Sequence, residues 1–254
     1  LLGSFLHFMF LVESFIIFDG WFLVGSNSQF FFILSAYLAF VLKVGPSLMK
    51  YRAPFKLTNI LLAYNIAQVA VSAYICSVGK NMSLCSYKIS CLTHVPPLTL
   101  RSVFVVLNKL SELLDTIFFV LRKKDRQVSF LHVYHHSLVF FYSWALMSYK
   151  DAFVSVPVIG FMNSFVHLIM YSYYALSVFP SISKYLWWKK YITKIQMIQF
   201  SLLIAYILYE YMTSPCKVPK SVAIHLLFNI SLVLALFVNF YIQTYKSSQN
   251  LKKS

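Results

Sequence analysis

Apolar runs about 20 residues long recur along this chain, and they constrain it more than any other feature. A helix of that length crosses the hydrocarbon core of a bilayer. Seven such spans are read, at 28–44, 57–78, 103–121, 130–149, 153–178, 192–209 and 221–245. Backbone groups in lipid must be satisfied internally, and these runs are too long for barrel strands, so the expected class is all-α. Hydrophobic residues make up 59% and charged residues 11% of the 254, against about 25% charged in a soluble domain. That excludes a disordered chain, a fibrous chain and almost any ordinary soluble enzyme. The expectation is a polytopic membrane protein with seven transmembrane helices.

The charges orient it. Lys and Arg number 22 against 7 Asp and Glu, a net of +15. In a soluble protein that excess would point to nucleic acid. Here fifteen lie in one alternate set of loops: Lys43, Lys50, Arg52 and Lys56; Arg122, Lys123, Lys124 and Arg126; Lys184, Lys189, Lys190 and Lys194; Lys246, Lys252 and Lys253. The opposite loops hold six, Lys80, Lys88, Arg101, Lys150, Lys217 and Lys220. Short loops rich in Lys and Arg stay in the cytosol, so the first set and the C-terminus are expected there. No nucleic-acid partner is expected. The basic loops instead meet anionic headgroups or an anionic substrate.

The simplest division is an N-terminal segment, 1–27, a seven-helix membrane catalytic domain, 28–245, and a basic cytosolic tail, 246–254. Residues 1–18 are apolar around Glu13 and lack the basic leader and small-residue cleavage site of a signal peptide. They are read as an interfacial helix or a gene-model artefact. Residue 1 is Leu, so the chain is expected to be incomplete or processed at its start. Asn81-Met82-Ser83 is a glycosylation sequon on the expected non-cytosolic side.

Ionisable residues inside spans are expensive, and they mark function by default. The third span carries Asn108, Lys109, Glu112, Asp115 and Thr116, which fall within an arc of roughly 120° at helical spacing. An internally paired Lys–Glu–Asp network that locks helix packing is the equal alternative. The fourth span opens on His132, His135 and His136, whose spacing sets three imidazoles on one face within about 100°. Histidine suits acid–base work near neutral pH, metal ligation and nucleophilic attack. The fifth span sets Asn163, His167, Met170, Tyr171 and Tyr174 on one face. There an Asn can orient a ring nitrogen or donate to an oxyanion, or can simply bond between helices. The sixth begins with Trp187-Trp188-Lys189-Lys190, interface anchors, and continues with Thr193, Gln196 and Gln199, amides that line a polar site or hold helices together.

These blocks resemble the ELO family, the fatty acid elongases of the endoplasmic reticulum. Lys109-x-x-Glu112-x-x-Asp115-Thr116, running on to Arg122-Lys123-Lys124, is similar to the family's first signature. His132-Val133-Tyr134-His135-His136 is similar to its histidine box. Asn163-x-x-x-His167-x-x-Met170-Tyr171-x-Tyr173-Tyr174 and Thr193-x-x-Gln196-x-x-Gln199 resemble its third and fourth blocks. Lys50-x-Arg52-x-Pro54-Phe55 and Tyr64-Asn65 also fit. The likeness runs from about Asp19 to the C-terminus. It departs at 1–18, at 78–98, and around 150–155, where the family's Gly-rich turn is missing.

The resemblance implies a 3-oxoacyl-CoA synthase that condenses a long-chain acyl-CoA with malonyl-CoA, releasing CO2 and CoA. It implies six helices ringed around an acyl-chain tunnel, with basic cytosolic loops for the CoA phosphates, in the endoplasmic reticulum membrane. It casts His135 as the nucleophile that takes the acyl group. His132 and His136 orient it, shuttle protons or polarise the carbonyl. His167, held by Asn163, assists malonyl decarboxylation. Asn108, Lys109, Glu112, Asp115, Tyr171, Tyr174, Gln196 and Gln199 bind substrate or tune the site. No metal and no cofactor are expected. Partners beyond the two substrates and membrane lipid would be a second copy of the chain and other enzymes of the elongation cycle.

Four cysteines without a CxxC are too few for a disulfide framework. By the charge count Cys85, Cys91 and Cys216 face an oxidising lumen, and Cys76 lies within the second span. The resemblance implies a Cys85–Cys216 disulfide. Three free thiols, or Cys91 in place of Cys85, are the alternatives. Two rival classes also fit parts of the pattern. A di-iron desaturase or hydroxylase uses HxxHH boxes, but the chain has seven histidines in all. A seven-helix receptor or transporter fits the topology but not the dense polar face.

Overall fold

The computed structural model describes residues 27–85, 100–148, 156–213 and 220–246. Among them every regular element is helical. The helices are α1 (Asn27–Ala39), α2 (Gly45–Met49), α3 (Thr58–Cys85), α4 (Leu100–Glu112), α5 (Leu114–Leu121), α6 (Phe130–Ser148), α7 (Val156–Ser177), α8 (Pro180–Ser183), α9 (Lys189–Thr213) and α10 (Lys220–Tyr241). Four stretches are long and apolar enough to cross a membrane: Asn27–Met49, Thr58–Ser77, Lys189–Thr213 and Lys220–Tyr245. The other three expected spans are helical as well, one of them in two pieces.

Three boundaries differ from the sequence reading. The first span contains a π-helical turn, Phe40–Val44, ahead of Gly45-Pro46. Proline has no N–H, and its ring crowds the carbonyl four residues back. The wider turn, closed by the Gly45 N–H on the Phe40 carbonyl, makes room for it. The second helix continues past residue 78 to Cys85, so the sequon Asn81 and Cys85 lie on helical backbone rather than in a loop. The third span breaks at Leu113. The Ser111 hydroxyl donates to the Asn108 carbonyl at 2.7 Å and so competes with the helix ladder there. The Leu113 N–H then turns to Leu110, three residues back. Residues 1–26, Lys88, Cys91, Lys150, Cys216, Lys217 and the tail from 247 lie outside the described residues.

The helices form two compact groups. In the first (27–57 with 100–148), α1 starts against the far end of α6. Phe30 stacks on Trp144 at 4.3 Å and packs on Phe140 at 4.9 Å, all three fully buried. Alongside α5 the same segment runs parallel. Tyr37 meets Thr116, Gly45 lies against Val120, and the Lys50 carbonyl accepts from Lys123 at 3.4 Å. The basic ends of the two segments therefore sit together, with Lys43, Lys50, Arg52, Lys56, Lys124 and Arg126 exposed.

In the second group (58–85, 156–213 and 220–246) neighbours are antiparallel. On α3 and α7, Tyr64 faces Tyr171 at 6.0 Å and Cys76 Sγ faces the Phe161 carbonyl at 3.9 Å. On α7 and α9, Gln196 meets Met170 at 3.6 Å, and Trp188, just ahead of α9, meets Tyr173 at 5.0 Å. On α9 and α10, Phe200 meets Phe237 at 5.2 Å. Within each group, then, helix directions follow the alternation in the charge pattern. The outer faces are apolar, as lipid requires: Ile198, Leu202, Met212 and Ile224 are all more than half exposed.

Candidate active site

The histidines sit where a capping residue starts α6. Ser129 Oγ accepts the His132 N–H at 3.2 Å, and the Ser129 carbonyl accepts the Val133 N–H at 3.0 Å. This N-cap fixes the first turn, and with it the imidazoles of the next two. Spacing of three and four then brings the rings together. The centroids of His132 and His136 are 4.2 Å apart, and those of His135 and His136 are 5.5 Å apart. His136 is buried, while His132 and His135 are half-buried. His132 also lies against the Phe119 ring at 5.0 Å, and its Nε2 is buried without a hydrogen-bond partner. A buried ring nitrogen with no partner among the described residues is available to a bound group.

On α4, one oxygen gathers two donors. Lys109 Nζ donates to Glu112 Oε1 at 2.7 Å, and Asn108 Nδ2 donates to the same atom at 3.0 Å. All three side chains are buried. The amide oxygen of Asn108, also buried, accepts nothing. Asp115 and Thr116 are buried too, but in the first turn of α5, beyond the break. The structure joins Asn108, Lys109 and Glu112 into one network, and Asp115 and Thr116 follow one turn later, buried like the other three.

In the second group, Asn163 Nδ2 lies 3.3 Å from His167 Nε2. An amide nitrogen donates, so this contact is a hydrogen bond in the tautomer that carries the ring proton on Nδ1. The His167 ring meets Tyr171 at 5.5 Å, and Tyr171, fully buried, meets Tyr64 and Tyr174 at 6.0 Å each. Gln196 donates to Met170 Sδ at 3.6 Å, while Thr193 and Gln199 are buried along the same helix. The Asn163 block and the Gln196 block therefore join around Met170 and Tyr171. Trp187 is 73% exposed, as an interface anchor is, whereas Trp188 is half-buried against Tyr173. Lys190 and Lys194 sit over the Tyr191 ring at 5.1 and 5.4 Å.

Some residues of these neighbourhoods were not singled out in the sequence. Gln68 and Ser72 are buried with Asn65 on α3, at spacing that sets them on one face, and α3 packs on α7. The signal was available as polar residues at i, i+3 and i+7 within an apolar span. Ser129, before an apolar run, was a readable cap. Tyr37 gave no signal, because a lone tyrosine in a span reads as packing. Among the described residues, no three His, Cys, Asp or Glu side chains are grouped so as to hold a metal ion.

Comparison with known proteins places the chain. The family described as "ELO: GNS1/SUR4 family" matches residues 22–253. "Very long chain fatty acid elongase 2" of Mus musculus is 41% identical over 239 residues, 89% of this chain and 79% of that protein. "Very long chain fatty acid elongase 1" of Homo sapiens is 37% identical over 247 residues, 93% of this chain and 88% of that protein. "Very long chain fatty acid elongase F" of Drosophila simulans is 41% identical over 184 residues, 67% of this chain and 70% of that protein. The match covers nearly the whole chain, and the chain belongs to the ELO (GNS1/SUR4) family.

Proposed function

We propose that this protein is a fatty acid elongation enzyme. It is a 3-oxoacyl-CoA synthase of the endoplasmic reticulum membrane, crossing seven times with its C-terminus in the cytosol. The observation that carries the reading is the trio of packed imidazoles on the capped first turns of α6. The chemistry has two halves. A neutral ring nitrogen of His135 attacks the thioester carbonyl of the acyl-CoA, and CoA leaves as its thiolate. The proton lost from the imidazole goes to that thiolate, a transfer that His132 and His136 serve. Malonyl-CoA then loses CO2, and the enolate carbon attacks the acyl-imidazole. The new C–C bond forms as the C–N bond breaks, and the departing imidazolate takes a proton from solvent by way of His132 or His136, giving 3-oxoacyl-CoA and neutral His135.

His167, with its proton on Nδ1 and its Nε2 turned to Asn163, serves the decarboxylation half by stabilising the enolate oxygen. The Asn108–Lys109–Glu112 network tunes the histidines or positions substrate. So do Asp115, Tyr171, Tyr174, Gln196 and Gln199. The exposed lysines and arginines at the basic ends meet the phosphates of CoA. The relatives' printed names, elongases of very long chain fatty acids, support the substrate class.

The test is incorporation of labelled malonyl-CoA into acyl product by purified protein. Wild type is expected to incorporate label and His135→Ala to incorporate none while remaining folded. His132→Ala and His136→Ala are each expected to fall by at least ~10²-fold. Turnover near wild type by His135→Ala would overturn the nucleophile. A wild type that incorporates nothing would overturn the reaction.

A further inference from the structure

The helix that reaches furthest into the first signature from outside it is α1. Its Tyr37 hydroxyl donates to Thr116 Oγ1 at 2.8 Å. Tyr37 is 5% exposed and Thr116 not at all. In a lipid-embedded segment no water competes for such a bond, and a hydroxyl left unpaired there is costly. Further polar ties between these segments lie at the basic end, where the Phe55 N–H reaches the Leu121 carbonyl and Lys123 Nζ reaches the Lys50 carbonyl. Close contact runs between: a Cβ on Gly45 would stand 2.8 Å from Val120 Cγ1. The register of the segment from Tyr37 to Phe55 on α5 is thus held along its length, and the Tyr37 hydroxyl ties it within the span.

Thr116 occupies a special place in its own helix. After Glu112 the Leu113 N–H bonds three residues back, to Leu110, while Leu113 itself keeps helical dihedrals (φ −63°, ψ −23°). Helix α5 restarts at Leu114, and Asp115 and Thr116 are in its first turn. A turn tightened in this way changes how the residues after it are rotated about the helix axis. What grips the first turn of α5 from outside therefore bears on the orientation of Asp115 relative to the Lys109–Glu112 pair.

We infer that Tyr37 is a positioning residue for the elongation reaction: its hydroxyl holds Thr116, and through that turn sets where the neighbouring Asp115 carboxyl points. The inference rests on the condensing-enzyme reading. Tyr37→Phe removes one oxygen and leaves the ring, so it tests the bond alone. Labelled malonyl-CoA incorporation is measured against concentration of each substrate and expressed per folded molecule, with the melting temperature recorded alongside. The kcat of Tyr37→Phe is expected to fall about tenfold, the size of losing one buried hydrogen bond, with both KM values within about twofold of wild type. In a Thr116→Val background the same substitution should cost nothing further, since the bond is already gone.

A kcat per folded molecule that stays at wild type, whether or not the melting temperature drops, overturns the inference. So does a loss confined to KM, or one that adds in full to that of Thr116→Val. Should Tyr37→Phe yield no folded protein, the bond is read from its other end. Thr116→Ser, which keeps the accepting oxygen, must then keep kcat, and Thr116→Val must lose it, or the inference falls. A wild type without incorporation defeats the condensing-enzyme reading itself. An active wild type beside an equally active Tyr37→Phe defeats only the role of Tyr37.

Discussion

Lys109 Nζ lies 2.7 Å from Glu112 Oε1, with the two side chains 6% and 3% exposed. Removing either partner strands a charge where solvent cannot reach it. Lys109→Met alone is therefore expected to destabilise the fold by about 3–5 kcal/mol. Lys109→Met combined with Glu112→Gln removes both charges and keeps an acceptor for Asn108 Nδ2, so stability should return to within about 1 kcal/mol of wild type. Condensation should not return with it. Unfolding curves for the two variants check this. Equal stability of single and double variants would mean that the pair does not act as a unit.

Two glycines make opposite predictions. At Gly45 a methyl group would stand 2.8 Å from both the Phe40 carbonyl oxygen and Val120 Cγ1. Gly45→Ala must push α2 off α5 or open the π-turn, a cost of about 1–3 kcal/mol. At Gly160, on α7, a Cβ meets nothing within 4 Å. There Gly160→Ala should be neutral or gain about 0.5–1 kcal/mol of helix stability. Melting temperatures of the two variants should move in different directions, and a drop at Gly160 as large as at Gly45 would contradict the packing.

The helices were legible because lipid enforces them: a long apolar run has few other options, and the alternation of basic loops matches the directions found within each helix group. The histidine trio was legible for the same reason, because spacing of three and four on a helix admits one geometry. What sequence spacing missed are local departures from an ideal helix. Nothing in a periodicity count shows that the Leu113 N–H will turn back three residues instead of four, so the tightened turn between Lys109 and Asp115 was not foreseen. Nor does a span boundary set by hydropathy stop where the helix stops, as the last turns of α3 beyond residue 78 show. Contacts between segments 79 residues apart, such as Tyr37 with Thr116, have no signature in either segment.

Helix α5 ends in a left-handed residue that is not glycine. Lys123 has φ 53°, its N–H bonds to the Val120 carbonyl at 3.0 Å, and the next N–H, of Lys124, reaches Phe119 at 2.8 Å. This pair of bonds is the Schellman ending, where glycine is the usual occupant. Lys123→Gly should relieve about 1 kcal/mol of left-handed strain, against which the exposed 3.4 Å contact of its ammonium with Lys50 weighs little. A higher melting temperature is expected. A lower one would mean that the lysine tail contributes more than its backbone costs.

His167 depends on a donor beside it. Asn163 Nδ2 is 3.3 Å from Nε2, and a bond donated there favours the tautomer with its proton on Nδ1. Asn163→Leu keeps the size and removes the donor. If the tautomer matters to the decarboxylation half of the reaction, malonyl incorporation should fall about 10²-fold, with acylation of the enzyme by acyl-CoA unchanged. Loss of acylation and condensation together would place His167 in the first half of the reaction instead.

The cysteines give the last prediction. Helix α3 is antiparallel to α7, and α7 to α9, so the C-terminal ends of α3 and α9 lie at the same end of their helix group. Cys85 is the final residue of α3, and Cys216 follows α9 by three residues. The side chain of Cys85 and the whole of Cys216 lie outside the described residues; the described helix ends nearest them in sequence, Cys85 of α3 and Thr213 of α9, lie at one end of the group. On the topology proposed here that end faces an oxidising lumen, where disulfides persist. Cys76, half-buried within α3, is a free thiol. A Cys85–Cys216 bridge would close a loop of about 130 residues and stabilise by roughly 4–5 kcal/mol on the chain-entropy account, an upper figure because insertion already restricts the unfolded chain. Peptide mapping without reduction is expected to recover the two cysteines in one linked pair, with Cys76 alkylated. If Cys85 and Cys216 are both alkylated without prior reduction, there is no bridge, and a peptide linking Cys91 to Cys216 would move the closure into the chain beyond α3.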